Sequence, residues 1–123
     1  MLRRLFFPLL SVFILVACAA SGAGDPARTV EKYIQAKIKG DSATMRGLLC
    51  SEMEAQLGQE ANTFRGVAGV SLESMSCTRD GASTVRCQGK IVALYGTEKN
   101  EFPLVAYRVV QEDGEWKWCG ETQ

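Results

Sequence analysis

The sequence predicts an α+β domain, in which N-terminal helices pack on one face of a curved antiparallel sheet of about four strands. Three observations predict this class. Apolar residues recur at helical spacing in the first half of the chain, they recur at every second position from Val70 onward, and turn residues separate the successive strand-like runs. Helices followed by an antiparallel meander give this architecture.

The helical half is predicted to begin at Asp25. Asp25 can cap the first free amides of a helix, and Pro26 suits the first helical position. The apolar residues that follow recur every four positions, as Val30, Ile34 and Ile38. Gly40 can end this helix, and Asp41 can cap a second one.

A third helical segment is predicted after Ser51. Ser51 and Glu54 have the spacing of a capping box, in which each side chain bonds to the other residue's backbone amide. Four apolar residues supply its buried side: Met53, Leu57, Ala61 and Phe64.

The second half reads as strands over residues 70–79, 84–95, 101–111 and 115–119. Asp113-Gly114 is the strongest hairpin turn signal in the chain. Gly89, inside the second strand, indicates a bulge that bends the sheet. Pro103 fits best near a strand start or on an edge.

Four cysteines lie beyond the N-terminal segment, and an even number in an exported chain is typical of two disulfides. Three pairings are open in principle. A three-residue loop over residues 81–83 sets Cys77 opposite Cys87, whereas a two-residue turn does not. We therefore favour Cys77 with Cys87 and Cys50 with Cys119.

The second bridge sets a condition on the last strand. Alternation places Cys119 on the face opposite Trp118, so Cys119 reaches Cys50 only if the strand end twists or bulges. The alternative for these cysteines is a zinc or redox site. Because the chain has no histidine and no Cys-x-x-Cys, we predict no metal and no cofactor.

The N-terminus has the layout of a bacterial secretory signal. Arg3 and Arg4 precede an apolar run over residues 5–16, which is too short to span a bilayer comfortably. The sequence Leu15-Val16-Ala17-Cys18 resembles the lipobox of bacterial lipoproteins, in which the cysteine receives a diacylglyceryl group and becomes the new N-terminus. The alternatives are an ordinary cleaved signal and an uncleaved membrane anchor.

On the lipobox resemblance, residues 1–17 are a signal peptide, residues 18–25 a lipidated tether, and residues 26–123 the folded domain. Acyl chains such as palmitate on Cys18 would hold the protein to a membrane of the bacterial cell envelope, outside the cytoplasm. The mature chain carries a net charge of about −2 and no basic cluster. Nucleic acid is therefore not an expected partner.

The order of a capped helix, Gly40-Asp41, a second helix and strands that end in Asp113-Gly114-Glu115-Trp116-Lys117-Trp118 resembles the nuclear transport factor 2-like superfamily. This cystatin-like α+β cone is found in domains of unknown function of secreted bacterial lipoproteins. The resemblance covers residues 26–119. It implies a pocket inside the cone and a structural role for Asp41 as a helix cap.

Four aromatic residues are candidates for lining such a pocket: Tyr33, Tyr107, Trp116 and Trp118. Trp116 and Trp118 share one face of the last strand, where core packing is the alternative to a ligand platform. An acid–base enzyme would use Glu73 or tyrosines, Tyr95 among them, but no spacing brings these residues together. We predict no catalytic residue.

The expected function is therefore a non-enzymatic module that binds a small apolar ligand or an envelope protein. The alternative is a small acid–base enzyme that uses the same pocket. A pocket with a buried carboxylate facing a tyrosine would favour the enzyme, and a filled interior would leave only protein contacts.

Overall fold

The structure is a computed structural model that describes residues 24–122. Its elements, in chain order, are α1 (Pro26–Lys39), α2 (Ser42–Leu48), a 3-10 helix (Ser51–Gln56), α3 (Leu57–Ala61), β1 (Gly69–Arg79), β2 (Thr84–Tyr95), β3 (Glu98–Pro103), β4 (Ala106–Glu112) and β5 (Glu115–Glu121). No helix within this range has the length and apolar character needed to cross a membrane. The predicted signal peptide, Cys18 and most of the tether lie outside the described residues.

Both predicted helix caps are present. The Asp25 side chain accepts a hydrogen bond from the Ala27 amide at 2.9 Å, and Gly40 ends α1 in the left-handed conformation at φ 66°. Asp41 caps α2, because its carboxylate accepts from the Thr44 hydroxyl at 2.6 Å and from the Thr44 amide at 3.1 Å. These bonds hold the pKa of Asp41 below its ordinary value.

The predicted capping box at Ser51 is wrong. This segment begins as a 3-10 helix with Cys50 at its N-cap and no side-chain capping bond. The reason is tertiary, because the Cys50 amide donates to the Trp118 carbonyl at 2.9 Å and the Cys50 sulfur is bonded to Cys119. The fixed backbone turns the Ser51 hydroxyl away from the helix, toward the Glu112 carboxylate at 3.0 Å.

The sheet has five strands in the order β1-β2-β4-β5, with β3 also paired to β2. The run at residues 101–111, predicted as one strand, is therefore split between β3 and β4. Pro103 ends β3, where it has no amide hydrogen to give to a ladder. The chain still follows β2 across the break, because the Leu104 amide donates to the Gly89 carbonyl at 2.9 Å.

The bulge that Gly89 indicated is present, but its extra residue lies in β1, opposite Gly89, and not in β2. The register shifts between Glu73 and Ser76, and Gly89 has φ +99°. A Cβ at this position would lie 2.5 Å from the carbonyl oxygens of Glu73 and Ser74. Only glycine therefore permits β2 to approach the bulged backbone of β1 this closely, and the bulge bends the sheet.

The two predicted disulfides are present, between Cys77 and Cys87 and between Cys50 and Cys119. Cys77 lies directly opposite Cys87 in the β1–β2 register. The expected bulge at the end of β5 is also present, since Val109 pairs with Trp118 while Tyr107 pairs with Glu121. The extra residue in β5 brings Cys119 to the helical layer.

The core lies between the helices and the concave face of the sheet. Its most buried side chains come from α1, α2, β2 and β4, and include Val30, Tyr33, Met45, Val85 and Val109. The opposite face of β2 and β3 carries ion pairs, such as Lys90 with Glu101 at 2.9 Å. The concave face is therefore the side on which a site can form.

Candidate functional site

A cavity of about 480 Å³ opens between the helices and the concave face of the sheet. Its walls come from α1, the 3-10 helix, α3 and strands β2 to β5. The most buried lining side chains are Tyr33, Ile34, Phe64, Ile91, Leu104, Tyr107 and Trp118. Exposed residues at the mouth include Gln56, Gln59, Tyr95, Phe102 and Glu121.

Three aromatic rings form the floor of the cavity. Tyr33 of α1 stacks on Trp118 of β5, with ring centroids 3.9 Å apart and planes 12° from parallel. Tyr107 of β4 packs beside Trp118 at a centroid distance of 6.3 Å. The pairing of Val109 with Trp118 sets this arrangement, because Tyr107 is two residues from Val109 and faces the same side of the sheet.

A cluster of three polar side chains joins α1 to α3 along one wall of the cavity. The Tyr33 hydroxyl donates to a Glu60 carboxylate oxygen at 2.8 Å, and the Lys37 ammonium contacts the same carboxylate at 3.1 Å. Tyr33 and Lys37 lie one helical turn apart, so they share a face of α1. The side chains of Lys37 and Glu60 are 22% and 18% exposed, which leaves this ion pair mostly shielded from water.

The hydroxyls of Tyr33 and Tyr107 remain protonated near neutral pH. Burial, the hydrogen bond to Glu60 and its negative charge all raise the pKa of Tyr33 far above its ordinary value. Burial also raises the pKa of Tyr107, against the effect of the Val105 amide, which donates to the Tyr107 oxygen at 3.5 Å. The Tyr107 hydroxyl thus keeps its own hydrogen for another acceptor.

Trp118 carries an unsatisfied donor. Its side chain is 4% exposed, and its indole Nε1 has no hydrogen-bond partner among residues 24–122. A buried donor without a partner costs about 1–3 kcal/mol, and such groups are rare in folded proteins.

Three of the four predicted pocket residues line the cavity, and Trp116 does not. Trp116 lies two positions before Trp118 along β5, which places it near the start of α1. There its Nε1 donates to the Gly24 carbonyl at 3.1 Å, and the Arg79 guanidinium lies 5.0 Å from its ring centroid. Trp116 therefore packs against the N-terminal end of the domain.

The carboxylate that lies in the cavity was not predicted from the sequence. Glu73, the predicted candidate, lies on the opposite face of the sheet and pairs with Lys90 at 3.7 Å. Glu60 occupies the wall instead. Its spacing carries a signal, because Glu60 falls among Leu57, Ala61 and Phe64 on the apolar side of the segment. An acid within an apolar helical face is the pattern that identifies it.

One group of potential metal ligands occurs within residues 24–122. The Cys50 and Cys119 sulfurs lie within 4.8 Å of a Glu52 carboxylate oxygen. Because the two sulfurs are joined in a disulfide, they lack the thiolate charge with which cysteine binds a metal ion. This arrangement braces the 3-10 helix against β5.

Comparison with solved structures identifies the fold. A five-substitution variant of a protein called Rd1NTF2_05 superimposes with a TM-score of 0.55 at 12% identity, covering 76% of this chain and 92% of its own. An NTF2-like protein of unknown function in nutrient uptake from Rhodospirillum rubrum gives a TM-score of 0.50 at 17% identity, covering 79% and 95%. No family model and no curated protein matches the sequence. The chain therefore contains a domain with the nuclear transport factor 2-like fold.

Proposed function

We propose that this domain binds a small molecule in the cavity between α1, α3 and the sheet. The observation that carries the proposal is the cavity itself, about 480 Å³ in volume with an aromatic floor and a few converging polar groups. These are the usual properties of small-ligand sites. The fold serves ligand-binding and enzyme modules alike, so the argument rests on the residues of the cavity.

The polar wall favours binding over catalysis. Tyr33 already gives its hydrogen to Glu60, and Lys37 neutralises the same carboxylate. A general base or acid must have its proton site free toward the substrate. Each of these groups is instead occupied by another residue of the domain.

The second candidate function is an acid–base enzyme, and it is favoured by the same three residues, Tyr33, Lys37 and Glu60. A mostly buried carboxylate beside a tyrosine is a combination that such enzymes use. In that case a substrate would displace Tyr33 or Lys37 from Glu60. Glu60→Gln would then abolish turnover of a substrate while the substrate still binds, whereas a binding module has no turnover to lose.

We also propose that the domain works outside the cytoplasm, attached to a membrane of the cell envelope through acyl chains on Cys18. The lipobox-like sequence at residues 15–18 supports this location, as do two disulfides, which persist in oxidising compartments. Ligands are therefore to be sought among molecules of the envelope and its surroundings.

The binding proposal is tested with N-phenyl-1-naphthylamine, a neutral dye that fluoresces more strongly in apolar sites. We expect saturable enhancement with the wild-type domain and a loss of at least tenfold in affinity for Gln59→Trp, which places a large ring at the mouth. Gln35→Trp is the matched control, because Gln35 is exposed on α1 away from this cavity. No saturable enhancement, or equal loss in both variants, would contradict binding in the cavity.

A further inference from the structure

Given the proposed binding function, we infer that the ligand is a neutral, largely apolar molecule that enters with a hydrogen-bond acceptor, such as a carbonyl or ether oxygen, toward the indole Nε1 of Trp118. This indole donor has no hydrogen-bond partner among residues 24–122. An N–H that is buried without an acceptor lowers the stability of the free domain, and a bound acceptor recovers that free energy.

The buried groups around Trp118 make the floor of the cavity a donor surface. The Tyr107 hydroxyl accepts from the Val105 amide and retains its own hydrogen. The Glu60 carboxylate beside this floor already receives hydrogen bonds from Tyr33 and Lys37. A ligand donor would compete with these bonds, whereas a ligand acceptor finds Trp118 and Tyr107 available.

The charges of the cavity favour a neutral acceptor over an anionic one. The positive charge of Lys37 is balanced by Glu60, and Glu121 adds a further negative charge at the mouth. A carboxylate or phosphate on the ligand would lose its hydration without gaining an unpaired cation. A carbonyl or ether oxygen has a far lower cost of desolvation.

The aromatic floor of the cavity favours an apolar body for the rest of the ligand. The stacked rings of Tyr33 and Trp118, with Tyr107 beside them, present apolar surface to a flat or cyclic body. Donors at the other end of the ligand can bond with Gln56 and Gln59, because these exposed side chains at the mouth carry amide oxygens. The polarity of the site therefore orients the ligand with its acceptor inward.

The test uses three probes of matched shape: 2-acetylnaphthalene, 2-isopropenylnaphthalene and 2-naphthoate. The first has a carbonyl where the second has a carbon–carbon double bond, and the third is an anion. Dissociation constants are measured by displacement of the naphthylamine dye from the wild-type domain. We expect the ketone to bind about tenfold more tightly than the alkene, the difference that one hydrogen bond to a buried donor gives.

The Trp118→Phe variant tests whether the preference for the ketone over the alkene depends on the indole of Trp118. In this variant we expect the ketone and the alkene to bind within about twofold of each other, because the indole donor is gone. A ratio of affinities within one variant cancels any general effect of the substitution on the cavity. If Trp118→Phe does not fold, the indole N–H signals of the wild-type domain replace it, with Trp116→Phe to assign the two signals. The ketone, and not the alkene, should then shift the Trp118 signal.

The outcomes separate this inference from the function on which it rests. Equal affinity of the wild-type domain for ketone and alkene would overturn the acceptor inference but leave ligand binding intact. Tightest binding of 2-naphthoate would overturn the neutral character of the ligand. A ketone preference that survives Trp118→Phe would overturn the role of Nε1. Failure of the dye and of all three probes to bind would instead overturn the proposed function.

Discussion

Tyr33 is the residue at which the helices, the sheet and the cavity meet. Its ring stacks on Trp118, and its hydroxyl donates to Glu60. Because the side chain is 1% exposed, ionisation would place a phenolate in the interior beside a carboxylate. The fold therefore favours the neutral form, which is the physical reason for the raised pKa of Tyr33.

This preference predicts how stability depends on pH. The unfolded chain loses the Tyr33 proton near the ordinary pKa of 10, while the folded domain retains it. The stabilisation is fully present below that pH and declines as the pH rises further, by up to about 1.4 kcal/mol per pH unit. Tyr33→Phe should therefore show a shallower fall in the free energy of unfolding between about pH 8 and about pH 11.

Urea denaturation of both proteins at each pH measures this difference. Subtracting the two curves isolates Tyr33, because the other titrating groups are common to both proteins. We expect the curves to converge as the pH rises. Curves that stay parallel across this range would show that the Tyr33 proton is not held by the fold.

At the scale of elements, the two disulfides differ in what they join. Cys77–Cys87 links neighbouring strands of one hairpin at a sequence separation of 10 residues, and Cys50–Cys119 links the helical layer to β5 at a separation of 69. In the chain-entropy model a longer loop restrains the unfolded chain more strongly. Cys50–Cys119 also holds Met53 and Gly120, two residues of the cavity wall.

Paired cysteine-to-alanine variants test this difference. We expect a loss of about 4 kcal/mol in the free energy of unfolding for Cys50→Ala with Cys119→Ala, and of about 3 kcal/mol for Cys77→Ala with Cys87→Ala. Each double variant is the matched control of the other, since both remove the same atoms. A larger loss from the hairpin bridge would contradict the loop-length argument.

The elements that local chemistry determines could be predicted from the sequence. Asp25 and Gly40 bound α1, Asp113-Gly114 sets the register of the last hairpin, and Gly89 faces a bulge. These features depend on caps, turns and glycine conformations, which neighbouring residues specify. Three of the four aromatic residues predicted for the pocket, Tyr33, Tyr107 and Trp118, line the cavity.

The features that could not be predicted depend on contacts between distant residues. Cys50 is held by β5, which replaces the expected capping box by a 3-10 helix, and the hydrogen bond from Leu104 to Gly89 allows β3 and β4 to follow β2 as separate strands. Trp116 and Trp118 share one face of β5, and which of them reaches the cavity depends on where β5 crosses α1. Neither spacing nor composition carries that information.

For the whole molecule, the N-terminal end of the domain and its cavity lie at different positions along α1. Trp116 bonds to Gly24 beside the start of α1, while Tyr33 and Lys37 line the cavity. At 1.5 Å per residue these side chains are about 10–16 Å farther along the helix than Pro26. A tether from Cys18 to Gly24 spans at most about 25 Å, so the lipid proposed for Cys18 would hold the domain close to the membrane.

Expressed with its full N-terminus in an exporting bacterium, the protein should fractionate with membranes, and its intact mass should correspond to cleavage before Cys18 plus acyl chains. Cys18→Ser removes the acylation site without changing residues 24–122, so this variant should lack the lipid mass and, because cleavage before residue 18 depends on the acylated cysteine, retain its signal peptide. Reduction and alkylation should add four labels, because the remaining cysteines form two disulfides. An unlipidated mass with four free thiols would place the domain in a reducing compartment and overturn both the anchor and the envelope location.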